Sequence, residues 1–220
     1  MNLGRVEEQL APLDGIAAVV FWVAGVIVLQ GPADQPDTDA SPARALEFFE
    51  KHDGSILLGT FLFMVGTLFF LWFLGLVRAQ LGPVEGGTRR VSSIAYAAGV
   101  ATAISLLLMP AVHATGAINK DNLSPEAAQV YLGLGVTFFY AAELAAVVFL
   151  LATGLTSLST GAFPKWLAWI TLVLALWLLI VPIGWAGLLY GFPLWLIAVS
   201  LLLWPRSRTG SRPDPARRTP

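Results

Sequence analysis

The chain has 220 residues, of which 56% are hydrophobic and 12% charged, with a formal net charge of −1 and no cysteine. That charged share is about half the usual one for a soluble domain, and a soluble fold of this length would lack the polar surface to stay in water. Bilayer hydrocarbon removes the conflict, so the fold class expected is all-α, a polytopic transmembrane bundle. The missing cysteines exclude disulfides, thiolate metal sites and a cysteine nucleophile.

A helix rises about 1.5 Å per residue, so about 20 apolar residues cross a core of about 30 Å. The first apolar run, 16–29, has only 14 residues and needs 10–15 to extend it into a span of about 11–30. Glu7 and Glu8 spoil the basic flank of a signal peptide, and no small-residue cleavage site follows Leu29. An uncleaved span is the reading taken, with Asp14 near its cytoplasmic end; without it the count falls to five.

The loop 30–54 is acidic, with Asp34, Asp37, Asp39, Glu47, Glu50 and Asp53 against Arg44 and Lys51. Ser41-Pro42 reads as an N-cap and first helical turn, and Gly54 as a stop. Between them Ala45, Leu46, Phe48 and Phe49 make an apolar side, and Glu47 and Lys51 form an i,i+4 pair. A short amphipathic helix is predicted in this first outer loop, as a cap on the bundle or as a gate or partner surface.

The second span, 56–77, carries no charge, and the third, 91–113, is rich in small residues. Ser124-Pro125 is a second N-cap signature, opening a fourth span over about 127–155 that contains Glu143. Residues 166–204 are 39 without a charge, too long for one crossing at roughly 58 Å. Pro182, Gly184 and Gly187 divide the run into spans 166–183 and 187–204, with a re-entrant pair as the alternative. Residues 1–204 thus form one bundle, and 205–220, with five arginines and four prolines, a disordered basic cytoplasmic tail.

Alternation places ten cationic residues inside (Arg5, Arg78, Arg89, Arg90, Lys165, Arg206, Arg208, Arg212, Arg217, Arg218) and Arg44, Lys51 and Lys120 outside. This bias orients six spans with both termini in the cytoplasm, in a cell inner (plasma) membrane. Trp72, Trp166 and Trp204 then fall near the inner boundary and Trp185 near the outer one. Arginine outnumbers lysine ten to three, a bias expected of a GC-rich bacterial genome.

Catalytic signatures are missing: no Walker loop, HExxH zinc site, G-x-S-x-G elbow or G-x-G-x-x-G fingerprint, and no lysine within a span. No catalytic residue, metal site, cofactor or nucleic-acid partner is therefore assigned. Glu143 stands out, because an ionised carboxylate at membrane depth costs about 3 kcal/mol or more. It is expected to be protonated and to donate to Thr102, Thr171 or Ser200, at similar depth, or to Tyr140 on its own face. His113 is expected to hydrate at the outer end of its span, about 20 Å from Glu143 by helix rise. Asp14 is read as a boundary carboxylate. Ala95, Gly99 and Ala103, and Ala141/Ala142 with Ala145/Ala146, form small-residue ridges along which spans three and four should pack, or through which the chain could meet a further subunit.

The runs GAFPKWLAW (161–169), LLGTFLFMVGTLFFLWFLGLVRAQL (57–81) and PLWLIAVSLLL (193–203) resemble those of a domain-of-unknown-function family of small six-span actinobacterial membrane proteins. The resemblance implies architecture and a short Pro-Lys-Trp inner turn, and carries over no active site. The lipid bilayer is the one partner implied. A small carrier, sensor or accessory subunit fits these features; the competing readings are an integral membrane enzyme acting on lipid and a scaffold that uses the outer helix. Scattered polar positions count against the enzyme.

Overall fold

The computed structural model describes residues 10–30, 35–37, 39–86, 89–180 and 182–208. Among them 89% are helical and none lies in a strand, the condition for backbone to be satisfied in hydrocarbon. The helices are α1 (Leu13–Gln30), α2 (Pro42–Glu85), α3 (Arg90–Ile118), α4 (Pro125–Thr160), α5 (Lys165–Leu178) and α6. The last starts as Gly184–Ala186, passes through a π turn at Gly187–Gly191 and continues as Phe192–Arg208. Pro42–Glu85, Arg90–Ile118, Pro125–Thr160 and Gly184–Trp204 are long and apolar enough to cross a membrane; α1 and α5 are shorter.

Both serine caps form, with the Arg44 amide donating to Ser41 Oγ (3.4 Å) and the Ala127 amide to Ser124 Oγ (3.2 Å). Gly54 does not stop its helix. The break falls at His52 (φ −123°, ψ 18°), and the outer amphipathic segment bends there and runs straight on into the second apolar stretch. That segment covers the outer ends of α3 and α4 with Ala45, Phe48 and Phe49, against Ala117, Ala128 and Leu132. Lys120 donates to Asp53 at 2.7 Å, and Gln129 Nε2 to the Ala40 carbonyl at 3.0 Å, so polar ties fasten the same cap. The Glu47–Lys51 pair forms as expected.

Other boundaries differ from the sequence reading. α3 runs past residue 113 to Ile118, α5 ends at Leu178 rather than 183, and α6 stays helical to Arg208, four residues into the expected tail. Residues 209–220, where the rest of that tail falls, lie outside the described residues.

At the turn between α2 and α3, Glu85 caps α3, its carboxylate accepting from the amides of Val91 (2.7 Å) and Ser92 (2.8 Å). An anion at a helix N-terminus is favourable. Ser92 first, and then the Val91 amide, hold this carboxyl below the ordinary glutamate range. The cap therefore stabilises at neutral pH and fades as pH falls through that lowered value. Beside it the Arg78 guanidinium lies 4.7 Å from the Tyr96 ring centre, clamping α2 to α3.

α1 lies so close to α2 that their backbones touch. A Cβ at Gly25 would sit 2.8 Å from the Gly59 carbonyl, and one at Gly59 2.8 Å from the Gly25 carbonyl. Trp22 Nε1 donates to Thr67 Oγ1 at 3.0 Å across the same seam. Phe70, Phe73, Phe149, Phe192 and Trp195 fill the centre between α2, α4 and α6. α3 and α4 pack along their length, as the small-residue ridges predict, with Ala95, Ala103, Ala142 and Ala146 buried. Ala141 instead faces outward.

Candidate functional site

The lengths of the helices decide where space is left. α5 has 14 residues and rises about 21 Å from the inner side. Pro182 has no N–H, so it cannot serve the Leu178 carbonyl four residues earlier, and the helix ends there. The chain turns back while α4 and α3 continue outward. The outer half of the bundle thus lacks the two helices that complete the inner half, and a cavity of about 530 Å³ opens in their place.

Trp22, Val23, Val26 and Ile27 of α1 form one wall, and Leu106, Met109 and His113 of α3 with Gly135, Val136 and Phe139 of α4 form the opposite one. Trp185, Leu188, Leu189 and Tyr190, from the π-helical start of α6, close the inner end. Gln35 also lines the space, and among the described residues no charged side chain does. Val23, Ile27 and Tyr190 are exposed on the outside of the bundle, so the mouth opens sideways between α1 and the π turn. Short π segments are frequent at functional sites.

His113 is, with Gln35, a polar residue of this cavity's lining. It is 6% exposed, not hydrated at a boundary as the sequence suggested, because α3 continues beyond it and its ring packs against Gly135 of α4. A Cβ at Gly135 would come within 2.6 Å of the imidazole Cε1 and Nε2, so only glycine leaves room for the ring. Nε2 is buried without a hydrogen-bond partner among the described residues. A buried polar atom left so is uncommon and asks for a reason.

Glu143 is also buried, at 6% exposure, but outside the cavity lining. It lies eight residues beyond Gly135 on α4, so about 12 Å separates its level from that of His113 rather than 20 Å. Its expected hydroxyl partners are engaged elsewhere. Thr102 donates to the Ala98 carbonyl (2.9 Å), and Thr171 donates to the Leu167 carbonyl (2.8 Å) while accepting from Trp195 Nε1 (2.7 Å). Ser200 Oγ has no partner among the described residues and faces Gly15 at the opposite end of the bundle, and Tyr140 is exposed on the surface. Glu143 meets the α5–α6 turn instead: a Cβ at Gly184 would overlap Oε1 and sit 2.5 Å from the Leu178 carbonyl. Asp14 stands half-buried in the first turn of α1, where a carboxylate suits the helix dipole.

The structure therefore brings none of the sequence candidates together in a catalytic constellation. Sequence reasoning missed the cavity residues Trp22, Phe139 and Tyr190 because each reads as ordinary apolar helix. Among the described residues no group of three or more His, Asp or Glu side chains could hold a metal ion. Compared with known proteins, the chain matches no family model, no curated sequence and no solved structure.

Proposed function

We propose that this chain is a six-span integral membrane protein of a bacterial inner membrane, with both termini in the cytoplasm. On this reading it is a non-catalytic binding protein, a small carrier or sensor, that holds a small lipophilic molecule in its outer-half cavity. The cavity carries the functional part: a concave apolar space of this size with few polar groups is the usual form of a ligand site. Kinship to the six-span actinobacterial family belongs to the same proposal.

Support for the orientation comes from the ten inner and three outer cationic residues. Support for α1 as a span comes from its 18 residues, about 27 Å of rise. Leu179, Ile180 and Ile183 of the α5–α6 turn are exposed and apolar, which suits immersion in lipid. A full hairpin and a re-entrant pair both return α6 to the side on which α5 began, so the orientation does not depend on that choice.

The native chain has no cysteine, which makes single-cysteine labelling clean. Asn122→Cys should react with an impermeant maleimide on intact cells, and Ser159→Cys only after the cells are opened. The reverse pattern would invert the topology and sink this orientation. For the cavity, an alkane brominated along its chain should quench tryptophan emission saturably in the purified protein, through Trp22 and Trp185. Val136→Phe, which fills the space, should reduce that quenching at least tenfold in affinity. Quenching that never saturates and ignores Val136→Phe would mean simple partitioning into micelles, and no site.

A further inference from the structure

We propose that the cavity takes a neutral, single-chain amphiphile whose flat ring bears a hydrogen-bonding oxygen, such as an alkylated quinone or phenol, and that the His113 imidazole holds this oxygen. This rests on the cavity being a binding site, and adds to it the class of ligand and the group that selects it.

Size sets the first limit. A cavity of about 530 Å³ lies within the range that holds a ligand of drug-like size. A ring with one medium alkyl tail fits, while a two-chain phospholipid is far too large. Charge sets the second limit. With no lysine or arginine among the described residues of the lining, an anionic head group would enter a dry site without a counter-charge. A neutral head with an oxygen needs one hydrogen bond, and the His113 imidazole stands in the cavity lining to make it. Neutral imidazole has one donor and one acceptor nitrogen, so either a carbonyl or a hydroxyl can be met.

Shape sets the third limit. Trp22, Phe63 and Phe192, with Trp22 stacked on the other two at 5.9 and 6.3 Å, line the cavity with part of their ring surface. Phe139 and Trp185 add further ring surface, and aromatic walls favour a planar guest. The sideways mouth between Val23, Ile27 and Tyr190 is a route for a molecule already dissolved in the bilayer.

The test is equilibrium binding of a radiolabelled decyl-benzoquinone to the full chain in lipid nanodiscs, with empty discs subtracted. Saturable binding near one per chain is expected, with decylphenol competing at least tenfold better than decylbenzene, which has no oxygen. His113→Phe should weaken binding at least tenfold, and His113→Gln should stay within a few fold of the native chain. Nε2 has no partner among the described residues, so His113→Phe breaks no hydrogen bond there. Melting temperature is read beside binding for His113→Phe and His113→Gln, which separates an anchoring role from a structural one. Equal binding by His113→Phe, equal competition by decylbenzene, or better competition by decyl phosphate would each overturn the proposal. Should His113→Phe fail to fold, the competition between decylphenol and decylbenzene on the native chain decides alone. Saturable quenching by the brominated alkane without saturable quinone binding would refute the ligand class and leave the cavity reading standing. Loss of both would refute the two together.

Discussion

Gly59→Ala is expected to destabilise the protein by about 2 kcal/mol, a large effect for one methyl group. The added Cβ would lie 2.8 Å from the Gly25 carbonyl and 3.0 Å from the Leu29 amide, and backbone cannot swing aside as a side chain can. α1 would have to move away from α2, loosening the Trp22–Thr67 hydrogen bond on the same seam. Small residues are what allow helices to pack this closely in a membrane. Gly25→Ala meets the Gly59 carbonyl and the Phe63 amide at 2.8 Å and should cost as much. Gly75 on the same helix is the control, since a Cβ there meets nothing within 4 Å. Gly75→Ala should be neutral or stabilise by about 0.5–1 kcal/mol, through the entropy removed from the unfolded chain. Unfolding of the full chain by dodecyl sulfate in mixed micelles, followed by tryptophan emission, reads all three. If Gly59→Ala behaves like Gly75→Ala, α1 is not docked in this way.

What the sequence made legible was local. Ser41 and Ser124 each precede a proline, and capping depends only on the next three residues, so both caps stand where they were expected. Pro182 marked the break in the 39-residue apolar run for an equally local reason. The same proline implies a stranded carbonyl at Leu178, which could have placed the end of α5 four residues before it; the continuing apolar pattern hid it. Gly54 misled, because glycine permits a helix end without requiring one, and the bend was taken up at His52. Matching depths along neighbouring helices put Thr102 and Thr171 beside Glu143, but depth does not say which way a side chain faces. A threonine hydroxyl in a helix reaches most readily for its own carbonyl four residues back, and both do so. The cavity had no local signature, since it arises from α5 being shorter than α4. Nor could His113 be read as buried, because the room for its ring is made by Gly135 on another helix.

Gly184→Ala is expected to cost about 2 kcal/mol, and part of that cost should be recovered by shortening Glu143. Alanine at 184 would overlap Glu143 Oε1 and crowd the Leu178 carbonyl at 2.5 Å. The carboxyl can be removed by substitution and the carbonyl cannot. In a double-mutant cycle, Glu143→Ala should therefore restore about 1 kcal/mol to Gly184→Ala. Glu143→Gln, which keeps the volume, should restore almost nothing, so the pair of variants separates a steric contact from an effect of the carboxyl's chemistry. Strict additivity of Glu143→Ala with Gly184→Ala, measured by the same micelle unfolding, would show that the two residues do not touch. The consequence reaches the cavity, because the residues just after Gly184 are Trp185, Leu188, Leu189 and Tyr190, which close its inner end. A turn pushed away from α4 carries those four side chains with it, so ligand affinity should fall in Gly184→Ala and return in part when Glu143→Ala is added. Glu143 then acts as a positioning residue. It fills the space between α4 and the shortened hairpin, and that seat fixes the height at which the cavity ends.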